Sequence, residues 1–447
     1  MALLSACALL SMAHGCGSTE GAPDGLPSAD DAETEGGASF DAGIVDAPVG
    51  PLLISNLSGS PKSSPEVEPH IAQDGAGTLV AVWIAASSVL GKTIGYAVSH
   101  DRGDHWTAPV LIVAPGGRQS TDPAVTSDRS GNFYLSWYGS GSGVEDRIYV
   151  AKLAHATDVF GAPVEVSPSD PGYSVLDKPW LTADGRDEIV VAWIGSNADG
   201  SKSKLLTAKS RDSGATFQAV SVATDAPRRL PFLCVDRALG AAAPLYLINV
   251  LGPSTPEKIE LRTSSDAVTW SSPSVIANDA VHQDPSCAVS GNRLWVSYAQ
   301  GTLAASEAVT PEALSVRVLT STNGGGSFSA AVPVNKGPAQ AKYLLPDLTI
   351  TPSGTLQVAY FQGVVDQAAT LERALSIDGG TTWSNSTIAA AGSFVSDRQS
   401  LRRLGDYVGQ ASDAQFTYVV FGDNSGFCGS SQTIHCTHIA FARLPSN

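Results

Sequence analysis

Long helical patterns are missing from this chain. Its 447 residues include only two Met and 16% charged residues, and apolar positions do not recur at the three-and-four spacing that an amphipathic helix needs. A helical bundle is therefore excluded. Basic residues are also scarce, 27 Lys and Arg against 43 Asp and Glu with no basic stripe, which excludes nucleic acid as a partner because phosphate binding needs clustered cations. Apart from residues 2–13, no apolar run approaches membrane-spanning length. What is abundant is turn chemistry: 44 Gly and 27 Pro point to a large all-β body with many tight connections.

The N-terminus divides by composition. "ALLSACALLSMA" is the right size for the apolar core of a signal peptide. Ala13-His14-Gly15-Cys16 resembles a bacterial lipobox, so residues 1–16 are expected to be a signal peptide, with Cys16 the lipidation site. Residues 17–49 are rich in Gly, Ala, Ser and acids, with no Lys or Arg. They read as a disordered, self-repelling linker, since too few large apolar groups are present to offset ordering entropy. The expected location is the bacterial cell envelope, with the lipid anchor as the only membrane contact; the alternative is a secreted protein that loses its signal peptide entirely. The folded body is expected at 50–447.

Within that body one octet recurs. "SIDGGTTW" (376–383) has relatives in "SHDRGDHW" (99–106), "SRDSGATF" (210–217), "STNGGGSF" (321–328) and a shortened "SSDAVTW" (264–270). Their third positions are Asp101, Asp212, Asn323, Asp378 and Asp266, and their last are Trp106, Phe217, Phe328, Trp383 and Trp270. A catalytic loop occurs once; an architectural turn recurs at a fixed period. The spacing, near 55 residues with one box missing around "HATDVFGAP", makes these hairpin corners. The acid or amide accepts backbone N–H groups, Gly supplies positive φ, and the aromatic residue folds beneath as a plug.

A second unit precedes each box: Pro, a short strand, a polar turn, then a strand ending in aromatics. It is seen in "EPHIAQDGAGTLVAVWIA" (68–85) and six further places, the last of which has Tyr407 where the proline should be. Four strands per period, seven times over, is the pattern of a β-propeller. We expect an all-β, seven-bladed propeller (six blades being the alternative), with "GPLLISNLS" (50–58) supplying the strand that the last unit lacks.

Ser-x-Asp-x-Gly-x-x-Trp is the Asp-box, or bacterial neuraminidase repeat, and residues 50–447 resemble the sialidase superfamily. The resemblance implies a ligand site on the face opposite the boxes. In sialidases that site has three arginines to clamp a carboxylate, a Tyr nucleophile backed by Glu, and an acid/base Asp. The sialidase Phe-Arg-Ile-Pro stretch has no counterpart here: the matching place reads "EVEPHIAQD", with Glu68 before Pro69.

Residues entering each innermost strand should ring the channel mouth. They are Glu68, Asp122, Asp177, Lys178, Trp180, Asp284, Asp406 and Tyr407, with Arg118, Arg228, Arg229, His282, Lys342, Arg402 and Arg403 nearby. Carboxylates accept hydrogen bonds from sugar hydroxyls, and Trp180 or Tyr407 would stack on apolar sugar faces. The expected function is binding of a glycan or an envelope protein at this mouth, by a monomer, without sialidase chemistry. The alternative is a glycoside hydrolase or polysaccharide lyase using Asp122, Asp177, Asp284 or Asp406. A rival reading of any single member is that it caps a turn or pairs with a neighbouring cation.

Four cysteines lie in the body. Cys428 and Cys436 bracket "CGSSQTIHC" and are expected to form a disulfide; a metal site with His435 and His438 is the rival, its spacing unlike standard zinc patterns. Cys234 and Cys287 are expected as two buried thiols rather than a pair. No metal and no cofactor are expected.

Overall fold

The computed structural model describes residues 49–55, 66–87, 91–167, 173–197, 203–218, 221–224, 228–252, 256–281, 285–302, 312–338, 341–364, 368–393, 404–423 and 437–446. These are nearly all strand, with two short 3-10 turns at Pro115–Gly117 and Arg237–Ala242. Each unit of the sequence is an antiparallel meander. The first runs Val67–Gln73, Leu79–Ser87, Gly91–Ser99, Val110–Ile112. The second is Gln119–Ser127, Phe133–Gly141, Val144–Leu153, Val164–Glu165, and the third Val175–Ala183, Ile189–Ser196, Ser203–Ser210, Ser221–Thr224. The sixth is Lys342–Ile350, Leu356–Gly363, Ala368–Ser376, Ser384–Ser393.

The fourth unit (Arg228–Val235, Leu245–Leu251, Glu257–Ser264, Ser274–Ala280) and the fifth (Ser286–Ser290, Arg293–Thr302, Glu312–Ser321, Val332–Pro333) share one eight-stranded sheet. Among the described residues, the strand pairing between them is the single bridge Ala280↔Gln300. The seventh unit combines Gly409–Ser412, Phe416–Asp423 and His438–Pro445 with Val49–Leu53 from the other end of the body as its outermost strand.

The inner strands touch in closed order. Each contacts the inner strand of the next unit, and that of the seventh contacts that of the first. The core lies between successive sheets. In the second strand of five units one position is filled by a large aromatic, Trp83, Trp137, Trp193, Tyr298 or Tyr360, all at most 2% exposed. Gly95, opposite Trp83 in the next strand, leaves room for the indole: a Cβ there would fall 2.6 Å from its Nε1.

The boxes form one turn repeated. Ser99 donates to Asp101 at 2.8 Å, while Asp101 accepts the His105 N–H and Ser99 accepts the Gly103 N–H. The same bonds recur at Ser210/Asp212, Ser321/Asn323 and Ser376/Asp378. Asp266 keeps them in the shortened box, with Ala267 at φ 63 in the glycine's place. Hydrogen bonds from Thr216 and Thr382 pull the Asp212 and Asp378 carboxyls down to about 2.

Each box rests on the preceding unit. Trp106 meets Phe441 edge-on at 5.0 Å, and Trp270 donates to Thr207 at 3.1 Å. Trp383, Phe217 and Phe328 join hydrophobic clusters spanning adjacent sheets. At the unboxed position near 154–160, Phe160 still packs edge-on against Tyr96.

The cysteine expectation is corrected here. Cys234 and Cys287 are disulfide-bonded, with Cα atoms 6.1 Å apart. Cys234 is three residues past Pro231 and Cys287 two past Pro285, so their side chains point to opposite faces of their strands. On successive sheets those are the two faces that meet. Cys428, Cys436 and Cys16 lie outside the described residues.

Candidate functional site

The site is built by a backbone feature that the sequence reading did not anticipate. Glu68, Asp122, Lys178, Leu230 and Leu345, each directly before a proline, have φ of 50 to 57. A proline pushes its predecessor towards extended conformations, and left-handed φ in residues with a Cβ costs on the order of 1–3 kcal/mol. At each the pairing register slips, as between Val67 and His70, or Thr121 and Ala124. A bulge thus opens five inner strands at one level.

Four of the charged side chains at that level converge, though they come from different units. Lys178 Nζ lies 2.6 Å from Asp122 Oδ1, 2.5 Å from Asp406 Oδ2 and 3.9 Å from Glu68 Oε1. One carboxylate oxygen from each of Glu68, Asp122 and Asp406 falls within 4.8 Å of the others. Glu68 and Asp122 are buried, while Asp406 is open to solvent.

Asp177 stands beside them and accepts the Lys178 N–H at 3.0 Å. Its carboxylate is reached by solvent yet ringed by protein. That enclosure, and then the charge of Asp122, push its pKa up to about 6 against the pull of Lys178.

Beneath the charges is an aromatic floor. Trp180 is 9% exposed, with Phe232 tilted over it at 4.2 Å, His70 edge-on at 4.7 Å and Tyr407 edge-on at 6.0 Å. Tyr407 donates to the Pro123 carbonyl at 2.8 Å, and Lys178 Nζ lies 5.8 Å from its ring centroid. Burial pulls the His70 pKa down to about 4, and its Nδ1 accepts the Val125 N–H, so the ring is neutral at pH 7. The expectation that Trp180 or Tyr407 offers a free stacking face is corrected: both are buried, and Phe232 covers Trp180.

The structure therefore brings together Glu68, Asp122, Asp177, Lys178, Trp180, Asp406 and Tyr407. Arg118 is held elsewhere, by the Glu145 and Pro115 carbonyls. Lys342 begins the sixth inner strand opposite Gly363. Arg228 and Arg229 are placed only by their backbone, in the fourth inner strand. His282, Asp284, Arg402 and Arg403 lie outside the described residues.

His70, Phe232 and Leu230 were missed in the sequence. Their signal was position: His70 and Phe232 follow the unit's proline as Trp180 does, and Leu230 precedes it as Lys178 does. Asp347 and Ser286 occupy that following position in two more units. The Ser286 hydroxyl donates to Asp347 at 2.7 Å, and burial pushes the Asp347 carboxyl up to about 7.

Chemically, the mouth holds hydrogen-bond acceptors around an internal ammonium, over a packed apolar base. The fold is that of solved β-propellers, sialidases among them. A protein of unknown function from Dyadobacter fermentans superimposes with a TM-score of 0.52 at 14% identity, over 89% of this chain and 98% of that one. A Trypanosoma rangeli sialidase in complex with sialic acid gives 0.50 at 12% identity, over 74% of this chain and 59% of that one. A Hadza microbial sialidase gives 0.49 at 16% identity, and the chain spans 64% of its length. No protein-family model matches the chain, and no curated protein matches it either.

Proposed function

We propose that the chain is a seven-bladed, sialidase-like propeller that binds a glycan or a protein ligand at the channel mouth and does not hydrolyse sialosides. The observation that carries this is Lys178: its ammonium sits among the carboxylates of Glu68, Asp122 and Asp406. Two free carboxyls flanking a bond are what a retaining hydrolase needs, and here the closest candidates are occupied by a cation. Glu68 stands before Pro69 where the sialidase stretch carries its first arginine. The sialidase neighbours support a carbohydrate setting, since one is described as bound to sialic acid.

One observation favours catalysis as the second reading. Asp177 is outside the ion pairs and its carboxyl is pushed up to about 6, which suits a general acid in a glycoside hydrolase or lyase. A glycan array with reducing-sugar release separates the two. Retention of glycans without release supports binding. Release that Asp177→Asn abolishes overturns it.

The rest of the proposal concerns placement. The Cys234–Cys287 disulfide suits an oxidising compartment, in keeping with a lipid anchor at Cys16 and a tether over 17–49, or with secretion, and with a monomeric body. Metabolic labelling with a palmitate analogue, lost in Cys16→Ala, tests the anchor.

A further inference from the structure

Residues from the two ends of the body meet on one buried carboxylate where the ring of strands closes. Past the outermost strand Val49–Leu53, the Ile54 N–H donates to the Ile439 carbonyl at 2.9 Å. Ser55, 1% exposed, accepts the Ile439 N–H at 2.8 Å and donates its hydroxyl to Glu66 Oε2. The Glu66 N–H donates to the Thr437 carbonyl at 3.0 Å. His438 completes the group, its Nδ1 3.3 Å from the same Glu66 oxygen. Glu66 is 4% exposed, and its other oxygen, Oε1, is buried with no hydrogen-bond partner among the described residues.

We propose that Ser55, Glu66 and His438 form a pH-sensitive clasp, which pins the N-terminal strand into the last sheet while His438 carries its proton and loosens when the proton leaves. A buried carboxylate with one oxygen unpaired is costly unless a cation stands against it. Protonated His438 is that cation. Neutral imidazole leaves the carboxylate only the Ser55 hydroxyl and an uncharged N–H contact.

The charges facing His438 come from two elements. Glu66, at the start of the first unit, raises its pKa above 6.5 by hydrogen bond and by charge, and Asp423, its strand partner, raises it further, against the opposing effect of burial. A raised histidine contributes stability that is complete below the unfolded pKa and lost as pH rises through the folded one. The clasp is therefore closed in mild acid and opens on the alkaline side.

Amide hydrogen exchange on the full chain tests this. Protection of the Ile54, Glu66 and Ile439 amides, each normalised to Val82 in the first sheet, is expected to be roughly fivefold or more greater at pH 5.5 than at pH 8.5. His438→Asn is expected to remove that difference. Equal protection at the two pH values, or a difference that persists in His438→Asn, would overturn the proposal. The His438 pKa measured by NMR in the wild type decides independently of whether the variant folds: above 6.5 supports the clasp, and at or below 6.5 ends it.

Discussion

Lys178 shows how a single side chain is placed under opposing demands. Its backbone is strained, and its ammonium is nearly enclosed, yet it holds together carboxylates that would otherwise repel. Lys178→Met removes the ammonium from among Glu68, Asp122 and Asp406, the first two of them buried. Breaking a fully buried pair costs about 3–5 kcal/mol; with Asp406 open to water, we expect about 2–3 kcal/mol at pH 7. Urea unfolding of the variant against the wild type measures this.

Asp347 makes the complementary case. Its carboxyl is raised from 3.8 to about 7 chiefly by burial, so the folded state binds a proton that the unfolded state has released. Stability therefore falls as pH rises from about 4 to 7 and stays low above. Asp347→Asn keeps an acceptor for Ser286 and Leu348 and removes the charge. It should gain on the order of 2–4 kcal/mol at pH 8 and nothing at pH 4. Equal gains at both pH values would show that the substitution acts through packing.

At the scale of elements, the informative feature is the seam between the fourth and fifth units. Asn249 stands where five other units place a large aromatic, and its amide is fully buried with no hydrogen-bond partner among the described residues. The box of the fourth unit is one residue short, and the fifth inner strand is only five residues long. The disulfide joins the inner strands at this place. With the cysteines 53 positions apart in sequence, loop closure alone implies roughly 4 kcal/mol. Cys234→Ala with Cys287→Ala should lower stability by about that amount, and reductant should destabilise the wild type but not the double variant, as read by thermal unfolding.

This element also marks how far the sequence could be read. The boxed turns and the alternating strands were legible because each repeats a local rule of turn chemistry or period two. The disulfide was not, because opposite parity on separate strands looks like divergence until the sheets are known to face each other. The bulges escaped for a similar reason. A residue before proline is normally extended, and only the convergence of Glu68, Asp122 and Lys178 on one axis gives the strained alternative a purpose. Trp180 was misjudged as a platform, since nothing local announced that Phe232 of the next unit would cover it.

For the whole molecule, the organising fact is that both ends of the body share one sheet. Among the described residues, the strand Val49–Leu53 pairs with His438–Pro445 alone, in the register Leu52↔Phe441 and Leu53↔Ala440. That pairing covers a strand whose Phe441 supports Trp106 of the first box. Removing residues 1–48 leaves it intact, whereas removing residues 1–55 deletes the strand, the Ile54 hydrogen bond and the Ser55 contact with Glu66. It also exposes an apolar edge able to recruit another chain. We expect the shorter deletion to keep the wild-type melting temperature. The longer one should melt several degrees lower, since each kcal/mol lost shifts the midpoint of a domain this large by roughly 2–4 °C, and should self-associate in light scattering. Equal melting temperatures for the two would mean that the ring is held by its inner strands alone, with the outermost strand an ornament rather than a closure.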